Sequence, residues 1–211
     1  MAACTGVNLY VADRSREMAE LEREAEAHLG RALPWLDRRR GHHPWEADVR
    51  GREQLWVGGE PPSPALLEQP EGYRRAALRP RRGGIWTTSP VEGLRTPWLD
   101  MLGKTGTVWT LRVRDDARVY EVRSAEHWRQ LVASYPRLAQ TEPLELTPDV
   151  TLPAPLYLVD WAAAARDWDG VRFTMSGKLH TVSVPFRVVD GYTILDEEVG
   201  AEETFWLRWS F

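Results

Sequence analysis

Three adjacent hydroxyl side chains, Thr87, Thr88 and Ser89, are the first residues of this sequence whose types suggest binding chemistry. They follow a glycine pair and the β-prone residues Ile85 and Trp86, and a proline ends the segment. Paired glycines let a backbone approach another group closely, and hydroxyls at a strand end can bind a polar ligand. The segment therefore predicts a strand rim that holds a polar ligand. The alternative is a turn before an ordinary strand with surface hydroxyls.

Two adjacent acids near the end of the sequence are the second candidate group. Glu202 and Glu203 stand directly before the apolar run 204–209, so at least one carboxylate is expected at the edge of a rigid strand. A fixed carboxylate stabilises positive charge that develops in a transition state. The alternative is that both acids merely solvate a strand end.

Several familiar sites are missing from the sequence. The run Gly103-Lys104-Thr105 lacks the earlier glycine of a phosphate-binding loop, because Trp98 occupies that position. His42 and His43 are adjacent, and five histidines with the single Cys4 make no zinc-type cluster. There is no G-x-S-x-G motif for a hydrolase nucleophile. We expect no metal site.

Composition indicates the kind of molecule that must position these groups. The 211 residues are 43% hydrophobic and 27% charged, which is typical of a globular protein, and the formal net charge is -4. No apolar run approaches the roughly 20 residues needed to span a bilayer, and the first residues lack the order of a signal peptide. We expect a cytoplasmic protein without a membrane partner.

Periodicity and turn signals predict an α+β fold in which strands follow residue 53 and most helix precedes it. The predicted helices are 18–33, 65–68, 124–135 and 160–165, and Ser124 and Asp160 are the predicted N-caps of the last two. The segment 136–155 is predicted to be a loop. Predicted strands are 7–11, 54–59, 85–89, 107–113, 118–122, 171–175, 180–189, 192–195 and 204–209. The pair 107–113 and 118–122 is predicted as a hairpin or as two consecutive strands, and Asp190-Gly191 as the turn of another hairpin.

The order of four short motifs resembles the ADP-ribosyltransferase superfamily, in particular compact members from bacteria and phages. These motifs are Leu55-Trp56-Val57-Gly58, Trp86-Thr87-Thr88-Ser89, Asp160-Trp161 with Asp169-Gly170, and a late Glu-Thr at 203–204. The resemblance implies a split core of antiparallel strands with peripheral helices. It covers residues 53–211 as the ADP-ribosyltransferase-like domain and leaves 1–52 as an N-terminal helical extension.

The resemblance also implies a set of site residues. Glu203 matches the catalytic Glu of the family, with Glu202 as the second choice. Thr87, Thr88 and Ser89 match the hydroxyl motif that braces the site and orients the acid. The remaining matches concern NAD: the backbone of Gly58 meets the nicotinamide amide, and Trp86, Trp56 or Trp98 stacks on its ring. Where the family has Arg or His, this chain has Val57, and Arg50 and Arg52 are nearby cations.

The function implied is NAD-dependent ADP-ribosyl transfer, as in a toxin or a phage-conflict enzyme. NAD is the substrate, a protein or nucleic acid is the acceptor, and the oligomeric state is open. A second hypothesis is a non-catalytic protein-binding module on the same scaffold, and a third is a nucleic-acid enzyme that uses Arg38, Arg39 and Arg40. The enzyme hypothesis requires the hydroxyls and the acid to share one hollow. If Ser89 and Glu203 lie on opposite faces of a sheet, or if packed side chains fill the space between them, the enzyme hypothesis fails and an α+β binding protein remains.

Overall fold

The computed structural model describes residues 47–67, 85–90, 106–147, 150–152, 154–181, 185–195 and 202–211. Over these residues the chain is an α+β protein with mixed, mainly antiparallel sheets and three α-helices, which confirms the predicted fold class. None of these helices is long and apolar enough to cross a bilayer. The predicted strand 7–11, the predicted helix 18–33, Arg38 to Arg40 and Trp98 lie outside the described residues.

The elements described along the chain are runs of strands separated by a few short helices. The helices are a 3-10 turn at Pro64–Leu67, α1 (Ala125–Ser134), α2 (Trp161–Asp167) and α3 (Met175–Thr181). The strands are β1 (Glu53–Gly58), β2 (Ile85–Thr87), β3 (Thr107–Arg112), β4 (Val119–Val122), β5 (Pro136–Gln140), β6 (Leu144–Thr147), β7 (Val150–Leu152), β8 (Leu156–Val159), β9 (Gly170–Phe173), β10 (Pro185–Val188), β11 (Gly191–Ile194) and β12 (Glu203–Trp206).

Two four-stranded sheets form the body of the described structure. The central sheet has the order β2-β12-β9-β4, and the second sheet has the order β10-β11-β8-β5. In the central sheet β12 runs antiparallel to both β2 and β9, whereas β4 and β9 are parallel. Strands β1 and β3 form an antiparallel pair, and a bridge between Leu55 and Thr88 joins β1 to the end of β2. This bridge brings the first strand beside the hydroxyl motif.

Helix α1 packs against strands of both four-stranded sheets. The side chain of Ser124 accepts a hydrogen bond from the backbone N–H of His127, which makes Ser124 the N-cap, as predicted. Trp128, Leu131 and Val132 are buried, so one face of the helix fills the space between the sheets. The predicted cap Asp160 likewise begins α2. The main apolar core therefore lies on the α1 side of the central sheet.

A second apolar cluster covers part of the opposite side of the central sheet. Its buried members are Val49, Ile85, Val113, Ala117, Val119 and Trp206. Residues 47–52, which the sequence assigned to the N-terminal extension, thus pack on the central sheet. The backbone N–H of Gly51 bonds the carbonyl of Val113 at 3.1 Å, and Gly51 has a φ of 68°, a conformation that favours glycine.

Three predicted elements differ from the structure. The prediction of a loop over 136–155 is wrong, since this segment contains β5, β6 and β7. The side chains of residues 136–139 in β5 are all exposed, so this strand has no alternation of buried and exposed residues that the sequence could reveal. For 107–113 and 118–122 the alternative of two consecutive strands is confirmed, whereas the hairpin is wrong because β3 pairs with β1 and β4 with β9. His180 lies in α3 rather than in a strand. The hairpin around Asp190-Gly191 is confirmed.

Candidate functional site

The strand register divides the candidate residues between two faces of the central sheet. Thr204 of β12 lies opposite Thr87 of β2 on one side and Arg172 of β9 on the other. Directly paired residues share a face, and alternate residues along a strand do so too. We call this side the front face; it carries Thr87, Ser89, Arg172, Glu202 and Thr204. The other side, which packs toward α1, is the back face.

A polar row crosses the front face of the sheet from edge to edge. Glu121, Arg172, Thr204 and Thr87 lie side by side on β4, β9, β12 and β2. Arg172 and Thr204 are 0% exposed, and Thr87 is 1% exposed. Among the residues that the structure describes, the hydroxyl of Thr204 has no hydrogen-bond partner. Buried polar side chains carry a desolvation cost unless they are bonded, so a row of this kind is unusual in an ordinary sheet.

Glu202 is the acid that meets the hydroxyl motif. Its Oε2 accepts a 2.8 Å hydrogen bond from the backbone N–H of Ser89, and its Oε1 accepts a 3.2 Å bond from the Ser89 hydroxyl. The Thr88 hydroxyl donates to the Glu202 carbonyl at 2.9 Å and approaches Oε2 at 3.4 Å. Arg172 Nε donates to Oε1 at 2.9 Å. Two hydroxyl residues and one cation therefore fix the orientation of this carboxylate.

A directed series of hydrogen bonds supports Glu202 from behind. The indole N–H of Trp206 donates to Thr87 Oγ1 at 2.8 Å, and that hydroxyl donates to Gln54 Oε1 at 2.9 Å. The amide nitrogen of Gln54 then donates at 2.9 Å to the Ser89 hydroxyl, which in turn donates to Glu202. Gln54 is 0% exposed. Each bond orients the next, as in other buried polar networks.

Arg172 connects the acid to the edge of the sheet. Besides Glu202, its guanidinium contacts Oε1 of Glu121 at 3.1 Å and donates to the backbone carbonyl of Ala47. Glu121 is 14% exposed in its side chain and also pairs with the more exposed Arg123. Charges of alternating sign therefore run from solvent at Arg123 to the buried Glu202.

Burial raises the pKa of Glu202 above its ordinary value of 4.5. The neighbouring charge of Arg172 and the hydrogen bonds from Ser89 oppose this effect but do not cancel it. Removing a carboxylate from water disfavours its charged form, whereas a nearby cation favours it. The acid next to the hydroxyl motif is thus shifted toward the range in which acids in active sites exchange protons.

Glu203 does not share this site. It lies on the back face, where its Oε1 is 2.8 Å from Nζ of Lys178 on α3, and both side chains are nearly fully buried. Ser89 and Glu203 are therefore on opposite faces of the sheet. The resemblance-based choice of Glu203 as the partner of the hydroxyls is wrong, and the second choice, Glu202, occupies that position. The physical reason is strand alternation, which sends adjacent side chains to opposite sides.

Trp86 also lies on the back face. Its ring stacks on Phe205 at 4.5 Å between centroids and packs against the main core. A ring bound near Ser89 and Glu202 on the front face is not within reach of Trp86. Trp56, by contrast, is two residues from Gln54 on the same side of β1 and packs beside the front-face cluster. Its ring lies against Gly58, toward the end of β1 opposite to Gln54.

Gly58 lies at the far end of β1, roughly 13 Å along the strand from Gln54 at the usual rise per residue. Its carbonyl accepts a 3.4 Å bond from the Trp109 indole, and a Cβ at this position would meet the Trp56 ring at 2.0 Å. The glycine is therefore explained by the close approach of Trp56. Arg50 and Arg52 are exposed, and Arg50 pairs with Asp48.

Sequence reasoning missed the network residues Gln54, Arg172 and Lys178. The signal for Arg172 was present, because a lone arginine interrupts the apolar strand Gly170–Phe173, and a buried charge needs a partner. Gln54 gave no such signal, since its contact with Ser89 spans 35 residues. Among the described residues, no three His, Cys, Asp or Glu side chains are grouped as metal ligands would be.

The fold and the site together define an α+β protein with a carboxylate that hydroxyls and a cation hold inside a sheet. Comparison of the chain with protein-family models, with curated proteins and with solved structures gave no match.

Proposed function

We propose that the chain is an NAD-consuming ADP-ribosyltransferase that uses Glu202 as its acid and modifies a macromolecular acceptor, a protein or a nucleic acid. One observation carries the proposal: Ser89 and Thr88 of the hydroxyl motif hold the Glu202 carboxylate, and Gln54 of the first strand completes the network. The resemblance to the superfamily implies such an arrangement, in which hydroxyls orient a late glutamate. The separation of Ser89 and Glu203 removes the enzyme hypothesis as the sequence analysis stated it, and the proposal depends instead on Glu202, the second choice, which contacts Ser89.

The chemistry follows from the charge of the carboxylate. Cleavage of the bond between nicotinamide and ribose produces an oxocarbenium-like sugar, as in glycoside cleavage. A carboxylate that accepts a hydrogen bond from the ribose 2'-hydroxyl stabilises this cation more than it stabilises the neutral ground state. Oε2 of Glu202 is held mainly by the Ser89 N–H at 2.8 Å. A carboxylate oxygen accepts two hydrogen bonds, and the long 3.4 Å contact of the Thr88 hydroxyl takes the second position on Oε2, so on this proposal the sugar hydroxyl displaces that contact.

Two further features of the front face suit a ribose and a nicotinamide ring. The buried hydroxyl of Thr204 has no hydrogen-bond partner within the described part of the chain, and on this proposal it bonds a ligand hydroxyl. Trp56 offers an aromatic surface on the same side as Gln54. Glu202 itself is 0% exposed, so on this proposal the side chains that cover it move when NAD binds.

NAD labelled in the adenine moiety, incubated with the protein and a cell extract, tests the proposal. We expect released nicotinamide and labelled acceptor, and Glu202→Gln should reduce both by about a hundred- to a thousandfold. Glu203→Gln is the matched control, since it removes the adjacent carboxylate on the opposite face. The proposal fails if the folded wild-type protein releases no nicotinamide, or if Glu203→Gln abolishes turnover in protein that is still folded while Glu202→Gln retains it.

The second candidate function is a non-catalytic module that binds a protein partner. One observation favours it: Glu202 and Arg172 are both 0% exposed and bonded to one another, as in a purely structural ion pair. A pulldown under conditions without NAD distinguishes the two functions. A stoichiometric partner that Glu202→Gln retains as well as the wild type, together with no NAD turnover, favours the module.

A further inference from the structure

Within the described structure, the guanidinium of Arg172 contacts groups from three separate parts of the chain, at Glu202, Glu121 and Ala47. Nε donates to Glu202 Oε1 at 2.9 Å, and Nη1 lies 3.1 Å from Glu121 Oε1 and also donates to the carbonyl of Ala47. The side chain is 0% exposed. A planar guanidinium has its N–H groups in a fixed fork, so fixing one nitrogen fixes the directions of the others.

We infer that Arg172 is the positioning residue of Glu202 and that Glu121 and the Ala47 carbonyl are the supports that set its orientation. Glu121 and Ala47 both bond Nη1, which leaves Nε aimed at the acid. The geometry is independent of the reaction, but the catalytic consequence rests on the proposed function. Residues near 47, which precede the first strand, thereby become part of the site.

Charge sharing makes this inference specific. Glu121 and Glu202 both contact Arg172, and Glu121 also pairs with Arg123 at the surface. Neutralising Glu121 removes one of the two carboxylates that contact Arg172 in the described structure, which favours the ionised form of Glu202 and lowers its pKa. Replacing Arg172 with lysine keeps the charge but removes the fork, so the cation no longer bonds Glu202 and the two supports together. That change should raise the pKa.

Titration of Glu202 in the full chain by carbon NMR, with glutamate labelled at Cδ, tests the inference without any assay of activity. We expect Glu121→Gln to lower the pKa of Glu202 and Arg172→Lys to raise it. Glu126→Gln and Arg118→Lys are the matched controls, because both residues are exposed and form ion pairs with other residues, Glu126 with Arg129 and Arg118 with Asp169. If Arg172→Lys does not fold, Glu121→Gln decides alone. Unchanged titration of Glu202 in the folded variants overturns the inference.

Kinetics provide a second readout. A misplaced acid lowers kcat by about a hundredfold in Arg172→Lys with little change in the KM for NAD. Glu121→Gln should instead move the acidic limb of the pH profile to lower pH. A merely structural role would lower the melting temperature and leave that limb in place, which would contradict the inference. If the wild type consumes no NAD, the proposed function fails, whereas the NMR titration still decides the role of Arg172.

Discussion

The backbone N–H of Ser89 and the carboxylate of Glu202 are joined by a 2.8 Å hydrogen bond across 113 residues of sequence. A second bond, from the Ser89 hydroxyl to the other carboxylate oxygen, makes the contact bidentate. This pair connects the hydroxyl motif of β2 to the start of β12. The predictions below depend on it and on the residues that support it.

Ser89→Ala should lower the free energy of unfolding by about 1–3 kcal/mol, because the Gln54 amide and Glu202 then each lose a buried partner. Urea unfolding measures the effect. Ser63→Ala, at an exposed position, is the control and should change stability by less than about 0.5 kcal/mol. Equal stabilities for the two variants would show that the Ser89 hydroxyl contributes nothing.

Gln54→Leu removes both the acceptor of the Thr87 hydroxyl and the donor to the Ser89 hydroxyl. Two buried hydroxyls lose partners, so we expect the unfolding free energy to drop by about 1–3 kcal/mol for each unsatisfied group. Thermal unfolding compares it with Gln130→Leu, which removes only an exposed bond to Glu126 on α1. A smaller loss for Gln54→Leu than for Gln130→Leu would contradict the network.

The stability of the protein should depend on pH through Glu202. Its pKa in the folded state lies above 4.5, the ordinary value expected in the unfolded state. At a pH between the two pKa values, the folded state therefore binds more protons than the unfolded state. Stability from this group is present at low pH and is lost as the pH rises through the folded-state pKa. The wild type should therefore lose stability relative to Glu202→Gln above about pH 4.5. Urea unfolding of both proteins from pH 4 to pH 8 tests this. The prediction is refuted if the stability of the wild type minus that of Glu202→Gln stays constant or increases with pH.

Glu203→Gln should act on stability rather than on the front face. It removes one partner of the buried pair with Lys178, which typically costs about 3–5 kcal/mol. Replacing both residues by apolar side chains of similar size, as in Lys178→Met with Glu203→Leu, should recover most of the loss. A double-mutant cycle in urea measures the coupling. Strictly additive effects of the two single changes would show that the pair is not coupled.

Trp56 and Trp86 form a matched test of the two faces. If the proposed function is correct, Trp56→Leu should weaken NAD binding, because the nicotinamide ring then loses an aromatic surface on which to stack at the front face. Trp86→Leu should lose its stacking on Phe205, about 0.5–1.5 kcal/mol of stability, and leave NAD affinity unchanged. Calorimetric titration with NAD compares the two. Weaker binding in Trp86→Leu alone would reverse the assignment of faces.

Local signals in the sequence were sufficient to predict the elements that turns and caps define. Ser124 and Asp160 cap their helices, and Asp190-Gly191 turns β10 into β11, because each signal acts within a few residues. The segment 136–155 could not be predicted in this way. Its strands pair with one another or with β8, and the exposed side chains of β5 give no alternation.

The candidate site was predictable in its residue types but not in its geometry. The hydroxyl motif and a late acid were both identified, and alternation implies that Glu202 and Glu203 face opposite sides. Which of them meets Ser89 depends on the pairing of Thr204 with Thr87, a contact between distant parts of the chain. The same holds for Gln54, whose role exists only because Leu55 and Thr88 form a bridge.

Adjacent acids at the start of β12 have a consequence for assembly of the sheet. Each has a buried cation of its own, Arg172 on one side and Lys178 on the other. A slip of one residue would turn every side chain of this strand to the wrong face. Both carboxylates would then lose their counterions, and Phe205 would leave the main core for the front face. A shifted register of β12 would therefore leave two carboxylates buried without their cations, and the two ion pairs together favour the native register of this strand.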